Sequence, residues 1–195
     1  MTWGVILAMT TVAAVTGSVE GQLTGAAAEL YRKAQSGHFW EQASRLKYEL
    51  MPTSDGRSFI VVYRAVPAPT HWIVSSHGTQ GFATDDCALW AQGAGSRDVG
   101  VVCVQWWLGT AGPAAYYEPG QEYREIDRAL TVLGVKPGTV MYHGFSRGSA
   151  NSYAVVAFDQ GRRKQTKVRP VVDPAGSQLR HHKLPEERAR LLVEA

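Results

Sequence analysis

The pentad Gly144-Phe145-Ser146-Arg147-Gly148 places a serine between two glycines, directly after an apolar run and directly before a helical one. A strand that bends sharply into a helix crowds its own neighbours, so residues without bulk are needed on both sides of the bend, and Gly144 and Gly148 meet that need. Ser146 would then stand exposed at the carboxyl edge of a sheet, facing the first amides of the following helix. Those oriented dipoles stabilise negative charge that develops on a carbonyl oxygen under attack. A serine hydroxyl is a weak nucleophile near neutral pH. The chemistry therefore also asks for a histidine to take the proton and a carboxylate to orient that histidine.

A second motif precedes the first: Ser75-Ser76-His77-Gly78-Thr79-Gln80-Gly81, a strand ending in His-Gly. With both motifs in this order, the stretch from about 59 to 160 resembles the α/β-hydrolase superfamily of serine esterases and lipases. The resemblance implies that Ser146 is the nucleophile. It also implies that the oxyanion-hole amides are those of Thr79 or Gln80 and of Arg147. In this superfamily the acid and then the histidine follow the serine in the chain. After Ser146 the acids are Asp159, Asp173, Glu186, Glu187 and Glu194, and the histidines are His181 and His182. Asp173 follows a strand-like run, as the family acid would, and His181 or His182 comes next in the right order. Seven or eight residues separate them from Asp173 with no strand between, whereas the family places a further strand there.

The remaining candidates have plainer readings. His77 would prop the His-Gly loop by hydrogen bonding, His143 would pack beside the nucleophile, and His38 and His71 read as incidental. Arg147 either neutralises a substrate carboxylate or hydrogen-bonds locally at the sheet edge. Trp106, Trp107, Tyr116 and Tyr117 either wall a pocket or pack under a loop. No histidine and carboxylate pair has helix-face metal spacing, so neither a metal nor another cofactor is expected.

The elements needed to hold these residues can be read from hydrophobic period. Runs at 58–64, 71–76, 99–107 and 139–143 are rich in β-branched and aromatic residues and read as strands, and 167–172 reads as a fifth. Helical spacing appears over 25–50, as one or two helices, and over 84–94, 122–135 and 148–160. In the third of these stretches Tyr123, Ile126, Leu130 and Leu133 form one apolar stripe, as on a helix lying against a sheet. Apolar strands alternating with such helices predict a mostly parallel sheet with helices on both faces. Runs 58–64 and 71–76 are too close in sequence for a crossover, so the first strand pair is expected to be antiparallel. The expected fold class is α/β, hydrolase-like, and abbreviated at the carboxyl end.

Composition narrows the class further. In 195 residues, 45% are hydrophobic and 19% charged, enough apolar material for one core and too much for a disordered or coiled-coil chain. Residues 1–17 have the uncharged apolar core and small-residue end of a signal peptide, though no Lys or Arg precedes the core; a buried amino-terminal helix is the alternative. The core is too short to span a bilayer. Residues 18–195 then form a single domain, complete or truncated. Location follows the signal: secreted or periplasmic with it, cytoplasmic without. Two cysteines, Cys87 and Cys103, cannot build a disulfide framework or a four-cysteine zinc site, and buried thiols are the simple reading.

The formal net charge of +3 is concentrated in a tail from about 161, where nine Lys/Arg meet four Asp/Glu. A terminal basic excess does not announce a nucleic-acid partner. The expected partner is a small-molecule ester, cleaved through an acyl-enzyme on Ser146. The alternative is an incomplete or degenerate hydrolase-fold protein that does not turn over.

Overall fold

A computed structural model describes residues 23–161 and 168–170. The candidate signal segment 1–17, Asp173, His181, His182 and the helical run at 186–193 lie outside the described residues.

Strands β1 (Tyr48–Pro52), β2 (Phe59–Arg64), β3 (His71–Ser76), β4 (Val99–Val104), β5 (Val140–Gly144) and β6 (Val168–Pro170) form one sheet in the order β1-β2-β4-β3-β5-β6. Pairs β4/β3, β3/β5 and β5/β6 are parallel; β1/β2 and β2/β4 are antiparallel. The sheet is therefore mixed with a parallel half, as its near-continuous apolar runs suggest. All six residues of β4 are buried, because helices cover both faces of a central strand.

Side chains leave the strands alternately, and the two faces bury separate cores. On one, Val61, Ile73, Val101 and Cys103 pack with α1 (Gly25–Ala34) and α3 (Ala83–Ala94). On the other, Val62, Val74, Val102 and Tyr142 pack with α4 (Pro119–Val132) and α5 (Arg147–Gly161). The stripe residues Tyr123, Ile126 and Leu130 all belong to this second core. Cys87 and Cys103 are both buried and free.

Three details of the sequence reading are corrected. The helical reading of 25–50 holds for α1 and the short α2 (Trp40–Ala43), but residues 48–52 form the edge strand β1. Tyr48 and Leu50 are buried while Glu49 is exposed, a period of two that only pairing with β2 makes decisive. Runs 59–64 and 71–76 do point in opposite directions, yet they are not neighbours. β4 lies between them, and the first antiparallel pair is β1 with β2. The strand at 99–107 ends at Val104, and Trp106 and Trp107 leave the sheet, with Trp107 bridging to Tyr116.

This order marks out a candidate site by topology alone. From β3 the chain passes through α3 on one face to β4 on one side. From β5 it passes through α5 on the opposite face to β6 on the other side. A crevice opens where neighbouring parallel strands send their connections in opposite directions, outside their carboxyl ends. Between β3 and β5, those ends are Ser76 and Gly144, which stand opposite one another in the ladder.

Candidate active site

At that switch point the chain goes from β5 into α5 through Phe145 and Ser146 alone. Ser146 has φ of 51°, a left-handed conformation that costs an L-residue about 1–2 kcal/mol. It is held there from both sides. The Phe145 N–H donates to the Ser76 carbonyl at 3.0 Å, and the Gly148 N–H donates to the Phe145 carbonyl at 2.8 Å. A Cβ on Gly144 would lie 2.5 Å from the Gly148 carbonyl oxygen, and one on Gly148 would collide with the Ser76 carbonyl oxygen. Both glycines are thus required by backbone contact. Ser146 is solvent-exposed, as are Phe145 and Arg147.

The His-Gly loop closes over the same point. A Cβ on Gly78 would sit 3.3 Å from the Ser146 Cβ, so that glycine lets the loop backbone reach the serine. Three contacts brace the loop. Trp106 Nε1 donates to the His77 carbonyl at 2.9 Å, the buried Gln105 side chain accepts from the Ala83 N–H at 2.8 Å, and its amide donates to the Gly81 carbonyl at 3.3 Å. His77 is buried, and Nδ1 donates to the Gly78 carbonyl at 2.9 Å, the propping role expected of it. Burial pushes its pKa down to about 4, so the ring stays neutral at physiological pH.

The loop amides divide. Gln80 also has a positive φ, 54°, and its N–H donates to the Tyr116 hydroxyl at 2.9 Å. Among the described residues, the N–H groups of Thr79 and Arg147 meet no acceptor. Of the two loop candidates, Thr79 is therefore the one with a free donor. The Arg147 guanidinium forms no ion pair among the described residues and lies over the Tyr116 ring, its Cζ 4.0 Å from the ring centre.

Beneath the turn lies a buried polar network that sequence reasoning missed. Glu122, on α4, is fully buried; one carboxylate oxygen accepts from Ser76 Oγ and the other from Asn151 Nδ2 on α5. Ser76 Oγ also meets the Tyr142 hydroxyl at 2.6 Å. The end of β3 and the first turns of α5 are thus tied to one carboxyl group. The available signal was its position: Glu122 stands one helical turn before Ile126, on the inward side of an otherwise apolar stripe.

Across the sheet, Ser75 Oγ donates to Asp86 Oδ2 at 2.7 Å and accepts from Trp90 Nε1 at 3.2 Å, with His143 Nδ1 at 3.1 Å. His143 therefore packs on the α3 face, its Nδ1 directed to Ser75. Among the described residues, no group of three His, Cys, Asp or Glu side chains could hold a metal ion, and no helix is long and apolar enough to cross a membrane.

Burial raises the Glu122 pKa to about 7 and that of Asp86, similarly desolvated, to about 7. A folded-state pKa above the ordinary carboxylate value means that the native state holds protons the unfolded chain has released. Stability from Glu122 is present below about pH 4.5 and falls as pH rises to about 7, by at most about 3 kcal/mol. His77 acts oppositely, since its depressed pKa removes stability as pH falls from about 6.5 to about 4. Denaturant titrations from pH 4 to 8 are expected to show a shallower decline above pH 5 in Glu122→Gln than in the wild type. Parallel curves for the two proteins would contradict this assignment.

No family model matches the chain, and no curated protein matches it in sequence. Its fold does match solved structures. An esterase from the hyperthermophilic archaeon Pyrobaculum calidifontis superposes with a TM-score of 0.52 at 20% identity, covering 68% of this chain and 47% of that one. A thermostable carboxylesterase cloned from a metagenomic library superposes with a TM-score of 0.50 at 19% identity, covering 83% of this chain and 58% of that one. The chain spans about half the length of these structures. It has the α/β-hydrolase fold.

Proposed function

We propose that the protein is a serine hydrolase that cleaves a carboxylic ester through an acyl-enzyme on Ser146. The observation that carries this reading is the exposed, left-handed Ser146 between β5 and α5, with the free N–H groups of Thr79 and Arg147 beside it. The solved structures of matching fold cited above are esterases by name, which supports the same chemistry.

In the proposed reaction, Ser146 Oγ attacks the ester carbonyl carbon as its proton passes to a base, and the carbonyl π pair moves onto oxygen. The amides of Thr79 and Arg147 stabilise that oxyanion; one such donor is worth about 3–4 kcal/mol in the transition state. Collapse expels the alcohol, protonated by the same base, and water repeats the sequence on the acyl-enzyme to release the acid. His181 or His182 is proposed as the base and Asp173 as the carboxylate that orients it. In this reading the Ser146 turn presents the nucleophile and the Thr79 and Arg147 amides receive the oxyanion; among the described residues no imidazole is hydrogen-bonded to Ser146.

The test is intact-mass spectrometry of the folded full-length chain after exposure to a fluorophosphonate, followed by peptide mapping. One adduct, located on Ser146, is the expected outcome. A folded sample that stays unmodified would support the alternative of a hydrolase fold without turnover.

A further inference from the structure

We infer that Arg147 makes the Ser146 site selective for esters that carry a second, ionised carboxylate, such as the monoesters of short dicarboxylic acids. This inference rests on the hydrolase reading and names its substrate class. A guanidinium can be held by its face and can bind by its edge. The Arg147 guanidinium is held over the Tyr116 ring, its Cζ 4.0 Å from the ring centre. The shelf is itself fixed: the Tyr116 hydroxyl accepts from the Gln80 N–H, its backbone bridges to Trp107, and its ring packs on Trp106 with centres 4.6 Å apart.

The guanidinium N–H donors meet no acceptor among the described residues, and no carboxylate of those residues pairs with them. The carboxylates tied into the nearby framework are committed elsewhere. Glu122 is buried between Ser76 and Asn151, Asp86 bonds Ser75 on the opposite face, and Asp55 accepts from the Tyr117 hydroxyl. A planar fork with open donors, immobilised next to the nucleophile, suits bidentate pairing with a carboxylate. Arg147 follows Ser146 directly, so its side chain reaches only the first few bonds beyond the scissile carbonyl. That geometry favours a short diacid over a long-chain fatty acid.

Three fluorophosphonates of equal length, ending in a carboxylate, a methyl ester or a trimethylammonium group, test this on the full chain. At low ionic strength the carboxylate probe is expected to label Ser146 about tenfold faster than the neutral one, and the ammonium probe more slowly than either. In Arg147→Gln the carboxylate-to-neutral ratio should fall to about one. Arg147→Lys, which keeps the charge and loses the fork, should retain an intermediate ratio. Equal rates in the wild type, or a ratio unchanged in Arg147→Gln, would overturn the inference. Failure of all three probes to label Ser146 would instead count against the hydrolase reading. The anion site is then read by NMR titration with monomethyl glutarate, where saturable shifts lost in Arg147→Gln uphold it and their absence refutes it.

Discussion

Ser146→Ala is expected to abolish fluorophosphonate labelling and to lower ester turnover by about 10⁴-fold or more, leaving only what binding and the oxyanion donors supply. The substitution removes the oxygen proposed to form the acyl bond, and no other serine among the described residues shares its surroundings. Ser75 and Ser76 are buried, with their hydroxyls donating to Asp86 on α3 and Glu122 on α4, and Ser149 Oγ is turned back to the Gly144 carbonyl. Ser146→Gly should lose the same activity while raising the unfolding free energy by about 1 kcal/mol, because glycine adopts a φ of 51° without the strain a Cβ brings. Comparing the two variants by chemical denaturation and by turnover separates the chemistry of the hydroxyl from the strain that presents it. Turnover in Ser146→Ala within tenfold of wild type would remove the serine from the mechanism.

Gly148→Ala should be the most damaging single methyl in the site. The added carbon would collide with the Ser76 carbonyl oxygen and lie 2.8 Å from that of His77, both of them backbone atoms that no rotamer change can move. Either α5 lifts from β3 or the His-Gly loop is pushed aside, and overpacking of this kind costs about 3 kcal/mol or more. The same displacement separates Ser146 from the Thr79 amide; a shift of about 1 Å in such a geometry costs about 10²-fold in rate. Labelling should slow by that factor even in the fraction that remains folded. Gly161→Ala, where the new methyl meets nothing, serves as the control and should keep the wild-type midpoint. Equal midpoints for both variants would mean that the close approach of α5 to β3 is not a constraint on this turn.

The two variants probe one arrangement at different levels. Ser146 can be exposed and strained because its backbone is fixed by hydrogen bonds at Phe145 and Gly148, and because the buried carboxyl of Glu122 ties the flanking elements together. Strain at one residue is maintained when its surroundings leave no alternative. The carboxyl is costly to bury and is accepted where each of its oxygens finds a donor, one from β3 and one from α5. Its raised pKa is the record of that cost.

What could be read from the chain alone was local. The turn at Ser146 was legible because its requirements, two glycines within two residues of a serine and a switch from strand period to helix period, are met inside a dozen positions. The helices over 119–132 and 147–161 were legible from their spacing, and the parallel half of the sheet from apolar strands alternating with helices. Every element that needed a distant partner had to wait for the tertiary structure. Residues 48–52 are a strand because β2 supplies their hydrogen bonds, and β4 separates β2 from β3 because the crossover through α3 returns it there. Glu122 becomes a clamp only when Ser76 and Asn151 arrive from 46 and 29 residues away, and Tyr116 takes the Gln80 amide from a distance of 36. Periodicity records which face of an element is buried; it carries no information about which element will bury it. The chain by itself therefore determined which residue stands at the bend, while the packing of the Tyr116 segment against the His-Gly loop decided which loop amide is left free beside it.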